Sequence, residues 1–514
     1  MQHGLQLKTY RPNAAKVRRN PVVDSTAVDH KPARLIRTLI LCGLLAGCAA
    51  GPDFKPPAAP LGPGYTAVPL PPQTASAPTA LGNAQLFGAR ADVDAQWWQS
   101  LGSPRLDELI KHALENNPGL ASARATLQQA QEIYSAQSRS TLYPEINAGV
   151  GAERQRFNPI VLGQSSNARE FSLYNASVSV RYKLDLAGGN RRALEALAAR
   201  ADYRRYELEG ALLTVTANIV TTAVAHASIA GQIQSTEATL RAKEEQLHLT
   251  RERVRFGQAA ADEVLNIQIQ VEQTRAELPL LLKQLQQNKH LLAVFAGMEP
   301  GARDIPDFTL EEFTLPSDLP LILPSELVRH RPDILAAEAL LHAANAEYGV
   351  AVASLYPQLN ISASHGSQAL SAGALFGEGS AVWSLIGQLT QPLFNPGLPA
   401  EKRASLAAFD AAAANYQGVV LEALRNVADV LAALDNDAKA LAALASADRS
   451  AQSSLETTER QYALGAASYI QMLVARQQAE QIRIGLIAAQ AQRLADSAAL
   501  YQALGGGGEL PAGS

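Results

Sequence analysis

The chain has very little cysteine and methionine. Of 514 residues only two are cysteine and three are methionine. The cysteines, Cys42 and Cys48, stand within or directly behind an N-terminal apolar run, so the remaining chain has no thiol and no possible internal disulfide. A cysteine nucleophile in the body of the protein is thereby excluded, and the scarcity of methionine disfavours a thioether path for copper or silver.

Sequence motifs that would carry chemistry are missing as well. No phosphate loop of the G-x-x-x-x-G-K-[ST] type occurs, so the chain lacks the loop by which many ATP-hydrolysing proteins bind nucleotide phosphates. The histidines, among them His226, His248 and His290, have no carboxylate or cysteine at ligand spacing, which argues against a metal site. We therefore expect a protein that is not an enzyme and that has no metal and no bound cofactor apart from a covalent lipid.

Behind the N-terminal region no segment has 18 unbroken apolar residues, so we expect no transmembrane helix. A chain that crosses a membrane without one must do so as a closed β-barrel, since only helices and barrels satisfy every backbone hydrogen bond in lipid.

Positive charge is also scarce. The first 47 residues hold eight Lys or Arg and two Asp, so the net charge of −4 for the whole chain becomes about −10 for the rest. Nucleic acid is not an expected partner.

The N-terminal segment has the form of a bacterial secretion signal. Leu35–Leu45 is an apolar run of signal-peptide length behind three basic residues, and it is too short to span a bilayer. It ends in Leu-Ala-Gly-Cys, the pattern of a lipoprotein signal, so we expect 1–47 to be cleaved and Cys48 to be acylated. Ala49 is not aspartate, as in lipoproteins sent to the outer membrane. The alternative is that Cys48 is an ordinary small residue late in a signal sequence.

The chain behind Cys48 is predicted to be a tandem duplication with a period of about 210 residues. A proline-rich tether and a periplasmic segment (48–103) precede repeat 1 (104–297), a linker (298–323), repeat 2 (324–504) and a flexible tail (505–514). Gly257 in repeat 1 corresponds to Gly465 in repeat 2, and Glu272 to Glu480. One helical seam occurs in both copies: Leu120, Ala123, Leu127, Ala130 and Tyr134 correspond to Ile334, Ala337, Leu341, Ala344 and Tyr348.

Each repeat is predicted to contain a β-hairpin of bilayer length and a pair of long helices. The hairpins cover about 145–186 and 358–394, and in the first, Ala176–Leu186 alternates apolar and polar residues without a break. From Asn190 to about Arg253 no proline intervenes, which allows a helix of roughly 95 Å. Because four strands cannot close a barrel and open edges are not tolerated in lipid, the chain must oligomerise, with eight strands in a dimer or twelve in a trimer as the smallest closures.

Several segments closely resemble the outer-membrane efflux proteins, the TolC-like family, in its lipoprotein branch of the NodT and OprM type. They are "CAAGPDF", "QWWQSLGSPRLDELI", "NPGLASARATLQQAQ", "RPDILAAEALLHAANAEYGVAVASLYPQL" and "TQPLFNPG". The resemblance implies a mixed α/β membrane protein, a homotrimer with a twelve-stranded outer-membrane barrel continued by a periplasmic α-helical barrel. It implies an exit duct for small molecules such as drugs, with a periplasmic adaptor and an inner-membrane pump as partners.

The resemblance also implies a periplasmic gate, formed by acidic residues six and nine positions after each turn glycine. Counting from Gly257 gives Glu263 and Asn266, and counting from Gly465 gives Gln471 and Val474, so a complete acidic ring is in doubt. Asp262 is a neighbouring candidate, and Tyr462 matches a family tyrosine that holds the gate shut. The alternative is that Asp262 and Glu263 are simply the acidic first turn of a helix.

Two other functions remain open from the sequence. The same fold serves as a duct for type I protein secretion, although the lipoprotein signal favours the efflux branch. A lipid-anchored periplasmic coiled-coil scaffold is the second alternative, but it has no need for bilayer-length strands in both repeats. The sequence does not identify the cargo.

Overall fold

The computed structural model describes residues 49–59, 64–66, 68–88, 93–158 and 168–506. The predicted signal peptide, Cys48 and residues 507–514 of the predicted tail lie outside these residues. Short 3₁₀ turns occur at Trp97–Leu101, Leu310–Glu312 and Ala372–Ala374. The helices and strands are, in chain order, β1 (Leu86–Gly88), α1 (Pro104–Asn116), α2 (Pro118–Leu142), β2 (Glu145–Phe157), β3 (Arg169–Leu184), α3 (Gly189–Arg255), α4 (Ala261–Phe295), β4 (Asp318–Pro320), α5 (Pro324–Leu327), α6 (Pro332–Ala353), β5 (Gln358–Ala369), β6 (Ala381–Thr390), α7 (Gly397–Ala463) and α8 (Tyr469–Ala503).

The structure shows the predicted duplication directly. In each repeat a helix leads to an antiparallel hairpin and then to a long helix and a shorter returning helix. Helices α3 and α7 both have 67 residues, and α4 and α8 both have 35. At 1.5 Å per residue the longer pair reaches about 100 Å. Helix α3 packs against α4 of its own repeat and against α6 and α8 of the other, so the repeats share one helical body.

Proline and short polar residues set the ends of the first helices. Ser103 caps α1 by accepting the Leu106 N–H at 3.3 Å, and Pro104 occupies the first helical position, as predicted. Helix α2 ends at Leu142, two residues before Pro144, because the residue before a proline disfavours helical geometry. In repeat 2 the corresponding helix ends earlier, at Ala353, and residues 354–356 form turns before Pro357.

Four antiparallel strands form one sheet in the order β2-β3-β5-β6, so β2 and β6 are its edges. Directly opposite residues share a face, and the register separates an apolar face from a polar one. Successive cross-strand rows of the apolar face include Ile146–Val180–Ala363–Leu385 and Ala148–Val178–His365–Trp383, whereas the polar face includes Asn147–Ser179–Ser364–Ser384 and Gly149–Ser177–Gly366–Val382.

Strand β3 differs from the alternating segment predicted for 176–186. It begins at Arg169 because its pairing with β2 continues as far as Phe157. It ends at Leu184 because the Asp185 carboxylate turns to the start of α3, where it accepts the N–H of Asn190 at 3.0 Å and of Arg191 at 2.9 Å.

Strand β6 ends earlier than predicted. The second hairpin was expected to run to about residue 394, but β6 ends at Thr390. Pro392 follows two residues later, and a proline has no N–H to donate to the strand ladder. The exposed Leu393 and Phe394 therefore belong to the turn that leads into α7.

The N-terminal segment packs onto the helical body. Trp97 and Trp98 are buried, as expected from their size, and the Trp97 ring stacks on Tyr501 of α8 at a centroid distance of 5.2 Å. Strand β1 pairs in parallel with β4 of the linker. Gly505, placed in the predicted flexible tail, approaches the backbone of His330 and Arg331.

Helix α3 is long and apolar enough to cross a membrane by length and composition alone. More than half of its most apolar stretch is buried within the protein, which is typical of a core helix. Residues Ile219, Val220, Ala223 and Ala227 from this stretch lie in the main apolar core. The apolar character of α3 therefore serves packing within the helical body.

Candidate functional site

The two turns predicted to mark the helix tips have the same backbone conformation. Gly257 has φ +71° and Gly465 has φ +73°, a left-handed region that favours glycine. In the first turn the N–H groups of Gly257 and Gln258 donate to the carbonyls of Val254 and Arg253 at 2.9 and 2.8 Å. This is a Schellman motif, which ends a helix sharply and lets the chain reverse.

The second turn repeats this pattern. The N–H groups of Gly465 and Ala466 donate to the carbonyls of Tyr462 and Gln461 at 3.0 and 2.8 Å. A Cβ added at Gly257 or Gly465 would have no atom of the described residues within 4 Å. Glycine is therefore favoured at both turns by the positive φ angle and not by a lack of room for a side chain.

The helices that return from these turns begin differently in the two repeats. Ser468 caps α8: its hydroxyl accepts the Gln471 N–H at 3.2 Å, while the Gln471 side chain accepts the Ser468 N–H at 2.7 Å. Helix α4 begins behind Ala260, which has no capping side chain. Asp262 and Glu263 stand in its first turn, where their charge complements the helix dipole.

A cleft of about 970 Å³ lies between α4 and α8 near these turns, with α3 as its floor. Four of the predicted gate residues line it: Asp262, Glu263, Asn266 and Val474. Other lining side chains are mainly polar or acidic and come from α3 (Thr236, Thr239, Lys243), α4 (Gln270, Gln273, Glu277) and α8 (Gln477, Glu480, Gln481).

The remaining predicted gate residues do not line the cleft. Gln471 is exposed and belongs to the α8 cap, and Tyr462 lies near the end of α7. Within the cleft, Asp262, Asn266 and Val474 are exposed, whereas Glu263 is half-buried. One oxygen of the Glu263 carboxylate is buried and has no hydrogen-bond partner among the described residues. The positions agree both with a gate and with an acidic first turn, so the gate assignment stays a prediction.

Tyr462 lies beside both turns. Its hydroxyl accepts a hydrogen bond from Arg253 of α3, and the same guanidinium donates to the Gln258 carbonyl of the first turn at 3.3 Å. The Tyr462 ring lies 5.7 Å from the ring of Tyr469. Burial raises the pKa of the Tyr469 phenol above its usual range, and its hydroxyl has no partner among the described residues.

Sequence reasoning missed a buried lysine, Lys243, which lies on α3, contacts two other helices and stands 14 residues before Gly257. The Lys243 ammonium of α3 lies 3.0 Å from the Glu480 carboxylate of α8 and donates to the Thr274 hydroxyl of α4 at 3.0 Å. Lys243 is almost fully buried. Counting back from the turn glycines places Ala451 at the corresponding position of repeat 2. The only available sequence signal was therefore a charge present in one repeat and absent from the other.

None of these contacts forms a catalytic arrangement. In the part of the chain that the structure describes, no group of three His, Cys, Asp or Glu side chains could hold a metal ion. His226 is buried in the core, where its Nδ1 accepts the Phe308 N–H at 3.3 Å, and burial lowers its pKa.

A sheet with one apolar face, continued by four long helices and a polar cleft at their tips, is the architecture of an outer-membrane channel. A family model described as "Outer membrane efflux protein" matches residues 109–298 and 323–506, one match for each repeat. The chain belongs to the outer membrane efflux protein family and is an efflux channel of the outer membrane.

Several relatives match over most of the chain. Outer membrane protein OprJ of Pseudomonas aeruginosa is 30% identical over 485 residues, which cover 93% of this chain and 96% of the relative. The toluene efflux pump outer membrane protein TtgC of Pseudomonas putida is 30% identical, with coverage of 92% and 95%. The pyoverdine export outer membrane protein OpmQ of Pseudomonas putida is 31% identical, with coverage of 82% and 89%.

Solved structures agree with this assignment. A membrane protein from Pseudomonas aeruginosa superposes with a TM-score of 0.80 at 28% identity, covering 90% of this chain and 98% of that one. The open state of the MtrE outer membrane channel of Neisseria gonorrhoeae superposes with a TM-score of 0.77 at 26% identity, with coverage of 90% and 98%. The predicted family and outer-membrane location are thereby confirmed.

Proposed function

We propose that three copies of the chain form a passive exit duct with a twelve-stranded barrel. The observation that carries this proposal is the four-stranded sheet, in which one face is apolar and both edges, β2 and β6, lack a partner strand among the described residues. Unpaired edges are not tolerated in lipid, so β6 of one copy pairs with β2 of the next. The apolar face then contacts lipid and the polar face lines the lumen.

The helices extend the barrel into the periplasm, where their tips meet the partners. The chain has no nucleotide-binding loop, so an inner-membrane pump supplies the energy and a periplasmic adaptor joins it to the Gly257 and Gly465 turns. The relatives named above for toluene efflux and pyoverdine export act on small molecules. We propose small molecules, not proteins, as the cargo.

Acylation of Cys48 is part of the same proposal. The first described residues behind it are held at the end of the sheet next to α3: the Ala50 N–H donates to the Ala187 carbonyl at 2.8 Å. The Arg192 guanidinium, which is buried, donates to the Ala50 carbonyl at 3.2 Å and pairs with Asp53 at 2.6 Å. A lipid-anchored N-terminus would therefore enter the protein beside the barrel. Cys48→Ser should abolish metabolic labelling with a radioactive acyl precursor, whereas Cys42→Ser should not.

The duct is tested by cross-linking in cells, with a photoreactive amino acid placed at Gln258 or Ala466 in the turns. We expect capture of an adaptor together with a pump, and a trimer of the chain on native mass spectrometry. A matched probe at Arg154, at the far end of β2, should capture neither partner. Capture of a secreted protein's transporter would favour type I secretion, and a monomer without conductance in planar bilayers would favour the scaffold; either result overturns the proposal.

A further inference from the structure

Two basic residues of β3 stand on the polar face of the sheet, at its end next to the long helices. Arg181 and Lys183 are two positions apart, so their side chains lie on the same face about 6–7 Å from each other. Both are exposed. They share this face with Ser179 and Ser177, which stand on the side opposite to the apolar rows.

The neighbouring strands do not neutralise these charges. Across β5 and β6 the row of Arg181 continues with Ser362 and Ile386, and the row of Lys183 with Asn360 and Gln388. Among the described residues neither Arg181 nor Lys183 has an ion-pair partner, although single exposed cations within a sheet would gain from one.

Two carboxylates lie nearby, and both have other partners. Glu145 of β2 is the register partner of Arg181, but it accepts a hydrogen bond from the Asn147 amide at 2.8 Å and forms no ion pair with any described residue. Asp185 follows Lys183, but its oxygens accept the N–H groups at the start of α3, and Arg191 lies 3.7 Å away. One chain therefore brings two cations and one carboxylate to these rows.

We propose that Arg181 and Lys183 form a basic collar in the lumen at the base of the barrel, which attracts anions and sets how well anionic solutes pass. The proposal rests on the trimeric duct proposed above, because the polar face becomes a lumen only when the barrel closes. With threefold symmetry the collar holds about six cations against three carboxylates. Rings of charged side chains in a pore select ions of the opposite sign.

The charge of the collar is opposite in sign to that of the acidic cleft at the helix tips. There Asp262, Glu263, Glu277 and Glu480 line the passage against Lys243 alone. A solute that leaves through the duct would pass an acidic region first and a basic region second. Such an arrangement lowers the cation preference that the acidic tips alone would produce, and it lets acidic solutes cross the barrel without repulsion.

The test is the reversal potential of the purified trimer in planar bilayers under a KCl gradient. We expect the double variant Arg181→Gln/Lys183→Gln to raise the permeability ratio of potassium to chloride by about twofold or more. Block of the current by citrate, added on the barrel side, should weaken by a similar factor. Arg181→Lys keeps the charge and should behave like the wild type.

Arg154→Gln is the matched control. Arg154 is also an exposed strand arginine, but it follows Ile146, Ala148, Val150 and Ala152 on the apolar face, so its loss should leave the ratio unchanged. An unchanged ratio and unchanged citrate block in the double variant, in a wild-type channel that conducts, would overturn the collar alone. Absence of conductance in the wild type would overturn the duct and the collar with it.

Discussion

Arg253 of α3 donates a hydrogen bond to the hydroxyl of Tyr462 of α7, 209 residues away in sequence. Its guanidinium also lies 5.6 Å from the centroid of the Tyr462 ring, within the range of a cation–π contact. The two residues stand one turn before Gly257 and Gly465. One contact therefore joins the ends of the longest helices of both repeats.

Tyr462→Phe should remove this hydrogen bond and keep the aromatic ring. A hydrogen bond to a charged group contributes about 1.5–3 kcal/mol, so its loss would shift a closed-to-open ratio by about tenfold or more. We expect a higher basal conductance in planar bilayers. Tyr469→Phe is the control, because the Tyr469 hydroxyl has no partner among the described residues. Equal conductance for Tyr462→Phe and the wild type would show that the contact does not hold the tips.

Lys243→Met should destabilise the helical body. In the wild type the Glu480 carboxylate lies 3.0 Å from the Lys243 ammonium. The substitution leaves this carboxylate between helices without its counter-charge, and removing one partner of a buried ion pair costs about 3–5 kcal/mol. The thermal unfolding midpoint, followed by circular dichroism in detergent, should fall clearly. Lys243→Met/Glu480→Leu should recover most of the loss.

Arg275→Met is the control for this prediction, because Arg275 forms its ion pairs with Glu244 and Glu272 on the surface of α3 and α4. Exposed pairs contribute little, so its midpoint should hardly change. If Lys243→Met leaves the midpoint as high as Arg275→Met does, the buried ion pair does not support the bundle.

Stability should depend on pH through Asp496 of α8. Burial raises the pKa of this carboxyl from its ordinary value of 3.8 to about 7, and Asp437 of α7 adds to the rise, while bonds from Gln492 and the charge of Arg493 act in the other direction. A raised carboxyl pKa means that the folded protein holds the proton more tightly than the unfolded chain. The contribution is therefore greatest below about pH 4 and is lost as the pH rises through 7.

Asp496→Asn should remove most of this slope and raise the unfolding midpoint at pH 8, while leaving it nearly unchanged at pH 4. Unfolding midpoints of both proteins measured from pH 4 to pH 8 check the sign. Asp435→Asn, which removes the partner of Lys439 on α7, should keep the slope. A slope that persists in Asp496→Asn would assign the pH dependence to another group.

Local features of the fold could be predicted because they follow from neighbouring residues. Pro144 stops α2, and the alternation around Val178 and Val180 predicts a strand and its two faces. Contacts between distant segments could not be predicted in this way. Gln85 accepts a hydrogen bond from the buried Arg493 at 2.7 Å across 408 residues, and no periodicity in either segment indicates the other.

The candidate site shows the same division. The turn glycines could be predicted from the repeat, because a sharp helix reversal needs a residue that tolerates positive φ. Lys243 could not, since a single lysine on a long helix is usually solvent-exposed. Whether a helical side chain enters a cleft depends on which helices surround it, and that is set by the packing of α3 against both returning helices.

Glu263→Gln should reduce the cation preference of the channel. In a trimer this residue would supply three carboxylates around one axis. It lines the cleft and forms no ion pair among the described residues, so its charge can act on a passing ion. We expect the potassium-to-chloride permeability ratio to fall by about twofold or more, opposite in sign to the change expected for Arg181→Gln/Lys183→Gln.

Glu272→Gln is the control, because Glu272 already pairs with Arg275 at 2.6 Å. If Glu263→Gln leaves the ratio unchanged while Asp262→Asn lowers it, the gate charge belongs to Asp262. If neither changes it, the two carboxylates serve only the dipole of α4.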